Sequence, residues 1–196
     1  EIYQLNLSDN VYLEGYFESE KYFKYIKKNI KKELKFLDEE KYKKSPFLKY
    51  LKEKNTVSIC LRQNRFLEGK NRNNKINRIK SENFKIEQIN YINKAIEFFK
   101  KTINSPIFYL WSNDFKNIDM SMFKSKVIKI IHDNNFLTNL DSRSLDMYLI
   151  SQCNHHIVVP SSFNWWGAWL SNNEDKIICR PNNNFFSNFK LNNDDF

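Results

Sequence analysis

Short apolar runs and longer stretches with helical spacing take turns along this chain. Thr56 to Leu61 is the clearest run, with Val57, Ile59 and Leu61 separated by small residues, and it predicts a buried strand. Ile107 to Trp111, Val127 to Ile131, His156 to Val159 and Ile177 to Cys179 predict four more strands. Between them, Ile86, Ile89, Ile92, Ile96 and Phe99 recur at helical spacing, and Asp141 or Ser142 can cap a helix running to about Ser151. A short helix is expected near Met120 to Lys124, and a last one over the tryptophan-rich run after Ser162. Upstream, Val11 to Phe17 predicts a short strand ending near Gly15. Ser19 can cap a following helix marked by Tyr22, Phe23, Ile26, Ile30, Leu34 and Leu37. Asp38 to Lys54 is charged, holds Pro46, and reads as a second helix or a linker. Gln63 to Asn83 is too polar to pack and reads as a long loop of functional or disordered character. Strands alternating with helices predict an α/β fold: a Rossmann-like parallel sheet with helices on both faces.

Composition narrows this only a little. The 196 residues suffice for one full core, and no apolar run approaches bilayer length. No signal peptide is visible, and the chain opens on Glu1 rather than methionine, which leaves its true N-terminus open. Cys60, Cys153 and Cys179 are widely spaced and odd in number, so free thiols in a reducing compartment are expected. The net charge of +9 fits a solvated lysine-rich face, an anionic membrane surface, an anionic substrate or a nucleic acid. Nucleic acid ranks last, because the lysines are not interleaved with aromatics as on an RNA-binding sheet.

The candidate chemistry lies at strand ends. Gly15, Gly69 and Gly167 are the only glycines, and they form neither a dinucleotide fingerprint nor a P-loop. A phosphate would have to be held by side chains and helix ends. Ligands of open parallel sheets sit beyond the carboxyl ends of the strands. Arg62, Ser112-Asn113-Asp114 and Ser161-Ser162 all occupy that position. Each has a plain structural explanation alone, as a surface charge or a helix cap; together they make a site. The Ser161-Ser162 turn stands at a helix start, where unpartnered N–H groups attract phosphate. Trp165, Trp166 and Trp169 are expected to fill core volume rather than stack on a ligand. His132, His155 and His156 have no carboxylate or thiol at ligand spacing, so they read as structural or surface residues and no metal is expected. Ser161 lacks the glycines of a nucleophile elbow, which argues against a hydrolase. No Asp-x-Asp pair closes a strand, and Asp194-Asp195 lies in a polar tail.

Three segments together resemble the α-1,2-fucosyltransferases of glycosyltransferase family 11. Gly15 to Phe23 is similar to the family's glycine-tyrosine-phenylalanine-glutamine-serine-glutamate-lysine segment. Phe108 to Asp114 is similar to its phenylalanine-serine-aspartate-aspartate strand end. Asp146 to His155 together with Ser161 to Leu170 resembles its long C-terminal motif. The glycine-rich family opening is missing, so the chain looks like the C-terminal portion of a longer enzyme. The family's histidine-x-arginine-arginine-glycine-aspartate motif reads Cys60-Leu61-Arg62-Gln63-Asn64-Arg65 here, and only the first arginine is kept.

The resemblance implies the nucleotide-sugar domain of a GT-B-type glycosyltransferase. Residues 1–55 would be the remnant of an acceptor-side domain plus linker, and residues 56–196 the donor-binding domain. It implies inverting, metal-independent transfer of fucose from GDP-fucose to the 2-hydroxyl of a galactose in a surface glycan, with no cofactor. Arg62 would clamp the donor diphosphate. Gln63 could only hydrogen-bond there, unless Arg65 supplies the second charge. Ser112, Asp114, Ser161, Ser162 and Phe163 would complete the donor site, with Asp114 accepting from guanine or ribose. Glu68 is the candidate base for the acceptor hydroxyl. The implied setting is the cytoplasm, at the inner face of the cytoplasmic membrane, with peripheral association. A different nucleotide-sugar donor, or a non-catalytic sugar-binding relative, is the alternative left by the altered arginine motif.

Overall fold

The structure, a computed structural model, describes residues 14, 15, 17–69, 73–133, 140–182 and 186. Five strands form one parallel sheet: β1 (Thr56–Leu61), β2 (Ile107–Ser112), β3 (Val127–Lys129), β4 (His155–Ile157) and β5 (Ile178–Cys179), in the order β3-β2-β1-β4-β5. The chain moves outward in one direction from β1 to β3, then returns to the other side of β1 for β4. The switch point therefore lies between β1 and β4, the place where doubly wound sheets bind ligands. The α/β reading of the sequence and its five strands agree with this sheet.

β1 is buried at every position. Its two faces differ in chemistry, because side chains alternate. Val57 pairs in register with His155, whose ring lies 5.9 Å from that of Phe99 on α4 (Lys75–Thr102). That face is covered by α4, through Ile89, Ile92, Ile96 and Phe99. The opposite face carries Thr56, Ser58 and Cys60, and both hydroxyls there are hydrogen-bonded. The Thr56 hydroxyl donates to the Leu51 carbonyl at 2.7 Å, and Ser58 Oγ meets Nδ1 of His156 at 2.8 Å. α5 (Ser142–Ser151) and α6 (Ser162–Leu170) pack against each other. Gly167 permits that approach: a Cβ there would stand 2.8 Å from Cγ2 of Ile150.

Two sequence expectations need revision, and one left open is decided. The expected loop from Gln63 to Asn83 ends early, because α4 begins at Lys75, capped by the Asn74 side chain, which accepts from Asn77 N–H at 2.9 Å. The first turns of α4 escape a periodicity test because they project into solvent: Ile76 and Ile79 are 65% and 52% exposed. The single helix expected over residues 22–37 is broken into two one-turn 3-10 segments and α1 (Lys27–Glu33). The break falls at Phe23, whose φ of −142° turns its ring inward onto the tryptophans. His155 and His156 are interior, and burial pushes His156 down to about 3.

Ser19 does cap the first of these turns, and Asp141 caps α5. Asp38 to Lys54 forms two one-turn helices, α2 (Glu39–Tyr42) and α3 (Leu48–Leu51), either side of Pro46. Tyr42, Leu48 and Leu51 from that stretch share one core with the sheet. The tryptophans build a second core: Trp165 and Trp169 stack 6.3 Å apart around Phe23. The strand expected over Val11 to Phe17 and the Asp194-Asp195 pair lie outside the described residues, apart from Glu14, Gly15 and Phe17. No helix among the described residues is long and apolar enough to cross a membrane.

Candidate functional site

A cavity of about 200 Å³ opens at the carboxyl ends of β1 and β2, beside the start of α6. Leu61 and Arg62 contribute from β1, Ser112 and Asn113 from β2, Ser161 and Phe163 from α6. Pockets for drug-sized ligands run to roughly 300–1,000 Å³, so this space suits one part of a nucleotide. A larger groove of about 580 Å³ lies between Phe23, Ile30 and Trp166, and Glu33 is the one charged residue in its lining among the described residues.

The segment after β1 is held by two reciprocal amide clamps. The buried Gln88 side chain, projecting from α4, accepts from Arg62 N–H at 2.9 Å and donates to the Arg62 carbonyl at 2.8 Å. Asn113 does the same for Gln63: it accepts from the Gln63 N–H at 2.8 Å and donates to the Gln63 carbonyl at 3.2 Å. A backbone leaving a sheet loses its ladder partners, and these amides replace them. Asn64 then turns the chain in the left-handed region, at φ 57°, which asparagine tolerates better than most residues.

The turn brings two arginines to one carboxylate. Arg62 pairs with Glu68 through Nη2 and Oε1, and Arg65 reaches the other oxygen of Glu68 at 3.4 Å. All three side chains are partly exposed, so the pairs add little to stability. What they fix is geometry: two guanidiniums converge on one anionic point beside the cavity. Glu18 lies in the same field; burial raises its carboxyl, against the pull of Arg180 and Arg65.

The other expected residues divide. Ser161 lines the cavity with extended backbone, and its side chain makes no capping bond to α6, so the hydroxyl is not committed to the helix. Phe163 lines the cavity and packs on the main core. Ser112 lines it too, while its hydroxyl donates to the Asp114 carbonyl at 2.8 Å. Three residues stand apart. Gln63 is 4% exposed, and its side chain donates to the carbonyls of Asp114 and Lys116, the latter at 3.0 Å. Asp114 spends Oδ1 on Lys116 N–H at 2.8 Å, closing a tight turn. Ser162 is the first residue of α6 and is not among the cavity lining.

Sequence reasoning passed over Gln88, Trp111, Arg143, Asp146 and Asn164 as site residues. Gln88 left a readable trace: it falls one turn after Phe84 and one before Ile92, an amide on an otherwise apolar stripe. Asp146 lines the cavity from α5 and pairs through Oδ1 with Nε2 of His132 at 2.7 Å. In the sequence it opens the segment that resembles the family's C-terminal motif, without a role assigned to it.

The family model described as glycosyl transferase family 11 matches residues 1–196. The chain belongs to glycosyl transferase family 11. It is 28% identical over 127 residues to the alpha-1,2-colitosyltransferase of Escherichia coli, covering 65% of this chain and 40% of that one. Against the O-antigen biosynthesis glycosyltransferase WbnK of Escherichia coli the figures are 28% over 102 residues, 52% and 32%. Against galactoside alpha-(1,2)-fucosyltransferase 1 of Oryctolagus cuniculus they are 28% over 107 residues, 51% and 27%. The matches thus span well under half the length of these relatives. Within the family 11 motif, the glycine position is Asn64, and its positive φ keeps the turn that glycine allows. Arg65 occupies the acidic position and faces Glu68.

Proposed function

We propose that this chain is the donor-binding part of a GT-B-type, inverting, metal-independent glycosyltransferase that moves fucose from GDP-fucose to the 2-hydroxyl of a galactose in a surface glycan. The observation that carries this is the convergence of Arg62 and Arg65 on Glu68, next to the cavity and the first turn of α6. A single carboxylate held by two guanidiniums stands where a donor diphosphate would be held. As the bond from the anomeric carbon to the β-phosphate oxygen breaks, the electron pair stays on the phosphate. Two arginines and the N–H groups at the start of α6 can stabilise that charge without a divalent ion or other cofactor. The incoming diphosphate displaces Glu68, and the freed carboxylate accepts the proton of the attacking galactose hydroxyl on the opposite face. Arg65 then supplies the second charge that Gln63, committed to backbone carbonyls, does not.

A second reading changes only the sugar: the similarity to the alpha-1,2-colitosyltransferase favours a colitosyl donor. The net charge of +9 supports a place at the anionic inner face of the cytoplasmic membrane. Titration of the full-length enzyme with GDP and GDP-fucose tests the donor assignment. Binding of both, weakened at least tenfold in Arg62→Ala and in Arg65→Ala, is expected. A folded enzyme that binds neither refutes it. Transfer assays with fucosyl and colitosyl donors separate the two sugars.

A further inference from the structure

Residues 24–37 carry six lysines and one glutamate, a local charge of +5 in a chain of net +9. Two of these lysines serve the fold: Lys27 pairs with Glu20 at 2.6 Å, and Lys31 lies over the Trp169 ring at 5.4 Å. Lys24, Lys28, Lys32 and Lys35 are exposed and make no ion pair among the described residues. Lys28 and Lys32 stand one turn apart on the outer side of α1. Of the carboxylates that follow, Asp38 is held by Lys41 and both Glu39 and Glu40 by Lys43, which leaves Glu33 as the opposing charge on this surface. Between the lysines the same stretch holds out apolar side chains: Tyr25 is 97% exposed, Ile26 51%, Leu34 45% and Leu37 100%. Leu34 also lines the groove of about 580 Å³, so the apolar surface continues from this segment to Trp166. Clustered apolar exposure of this kind marks a contact surface. The phosphates of a nucleic acid would engage the lysines and leave Ile26 and Leu37 in water. A bilayer with anionic headgroups takes both kinds of side chain at once.

We infer that residues 24–37 form the surface by which the protein docks on an anionic bilayer, with the exposed lysines at the headgroups and Tyr25, Ile26 and Leu37 in the interfacial layer. The inference rests on the membrane placement proposed above and assigns it to one surface. α6 links that surface to the donor cavity: Phe163 lines the cavity, while Trp166 and Leu170 line the groove. A helix of nine residues is about 14 Å long, so the cavity and the docking surface lie about one short helix apart.

Co-sedimentation of the full-length protein with vesicles tests it, using phosphatidylcholine alone and an equal mixture of phosphatidylcholine and phosphatidylglycerol. Binding to the mixed vesicles is expected, at least about tenfold tighter than to phosphatidylcholine alone. Lys28→Ala/Lys32→Ala should weaken binding to the mixed vesicles roughly twentyfold, at about fivefold for each lysine lost. Tyr25→Ser/Leu37→Ser should weaken it roughly tenfold, and the loss should persist at high salt, where the lysines are screened. None of these four side chains lines the cavity, so GDP affinity and the urea midpoint should be unchanged in both variants. Full-strength binding by both variants overturns the inference and leaves the membrane placement in force. Loss in one variant only overturns it too: loss in the lysine variant alone marks a purely electrostatic contact such as a nucleic acid makes, and loss in the Tyr25 and Leu37 variant alone marks an apolar protein contact. Equal binding to the two vesicle types overturns it as well. A protein that binds neither vesicle, as when the rest of the polypeptide covers this surface, overturns the membrane placement together with the inference, while GDP titration reports on the donor site independently.

Discussion

Replacing Gln88 by leucine tests whether the site depends on its backbone clamp. Gln88 is fully buried on α4 and makes two bonds to the peptide groups of Arg62, at 2.9 and 2.8 Å. Leucine is close in volume, so packing changes little, while both bonds vanish. Leaving a buried polar group unpaired costs about 1–3 kcal/mol. Two such groups set an upper range of about 2–6 kcal/mol. Arg62 is only partly buried and water can reach its backbone, so about 2–3 kcal/mol is expected. Urea denaturation of wild type and variant at pH 7 measures this. The second readout is GDP affinity, which should fall because the Arg62 guanidinium loses its anchor. Gln88→Glu separates the two bonds: one carboxylate oxygen still accepts from the Arg62 N–H, but nothing donates to the carbonyl. Its stability and affinity should lie between those of wild type and Gln88→Leu. A Gln88→Leu enzyme with unchanged urea midpoint and unchanged GDP affinity would show that the clamp holds nothing.

The protein should lose stability in acid through His156. Burial, helped by Lys176 and His155, lowers its folded value to about 3 from 6.5, so below pH 6.5 the unfolded chain takes up a proton that the folded one refuses. Stability contributed by this group is present above pH 6.5 and falls by about 1.4 kcal/mol per unit down to pH 3; denaturation at pH 7 and pH 5 should show a slope that His156→Gln lacks, and equal slopes in both refute the assignment. Gly167→Ala should destabilise by about 1–3 kcal/mol, because its methyl would meet Ile150 at 2.8 Å. Pairing it with Ile150→Ala, which removes Cγ2, should cost less than the sum of the two single changes in a thermal melt, and additive losses would argue against the contact. Glu68→Gln should bind GDP several-fold more tightly, since the carboxylate no longer competes for Arg62 and Arg65, yet turn over more slowly. A raised kcat, or an unchanged one, removes Glu68 as the base.

The sequence disclosed what repeats locally and concealed what depends on convergence. β1 and the second half of α4 were legible because burial imposes a regular apolar rhythm, unbroken in Thr56–Leu61 and helical from Ile89 to Phe99. The first half of α4 was not, since a helix leaving the sheet for solvent needs no apolar stripe. The segment 22–37 misled for the opposite reason. Its apolar positions keep helical spacing, yet Ile26 and Leu37 are 51% and 100% exposed while Phe23 serves a different core. The site followed the same division. Arg62 and Ser161 were visible because position after a strand is itself the signal in a parallel sheet. Gln63 and Asp114 share that position, but strand ends must also close their own backbone, and both side chains are drawn into that task. Gln63 can therefore stand where the family has an arginine without leaving the loop short of charge. Arg65, two residues later, reaches the common carboxylate because Asn64 reverses the chain between them. A motif read position by position records a lost arginine; the folded loop keeps two guanidiniums on one anion.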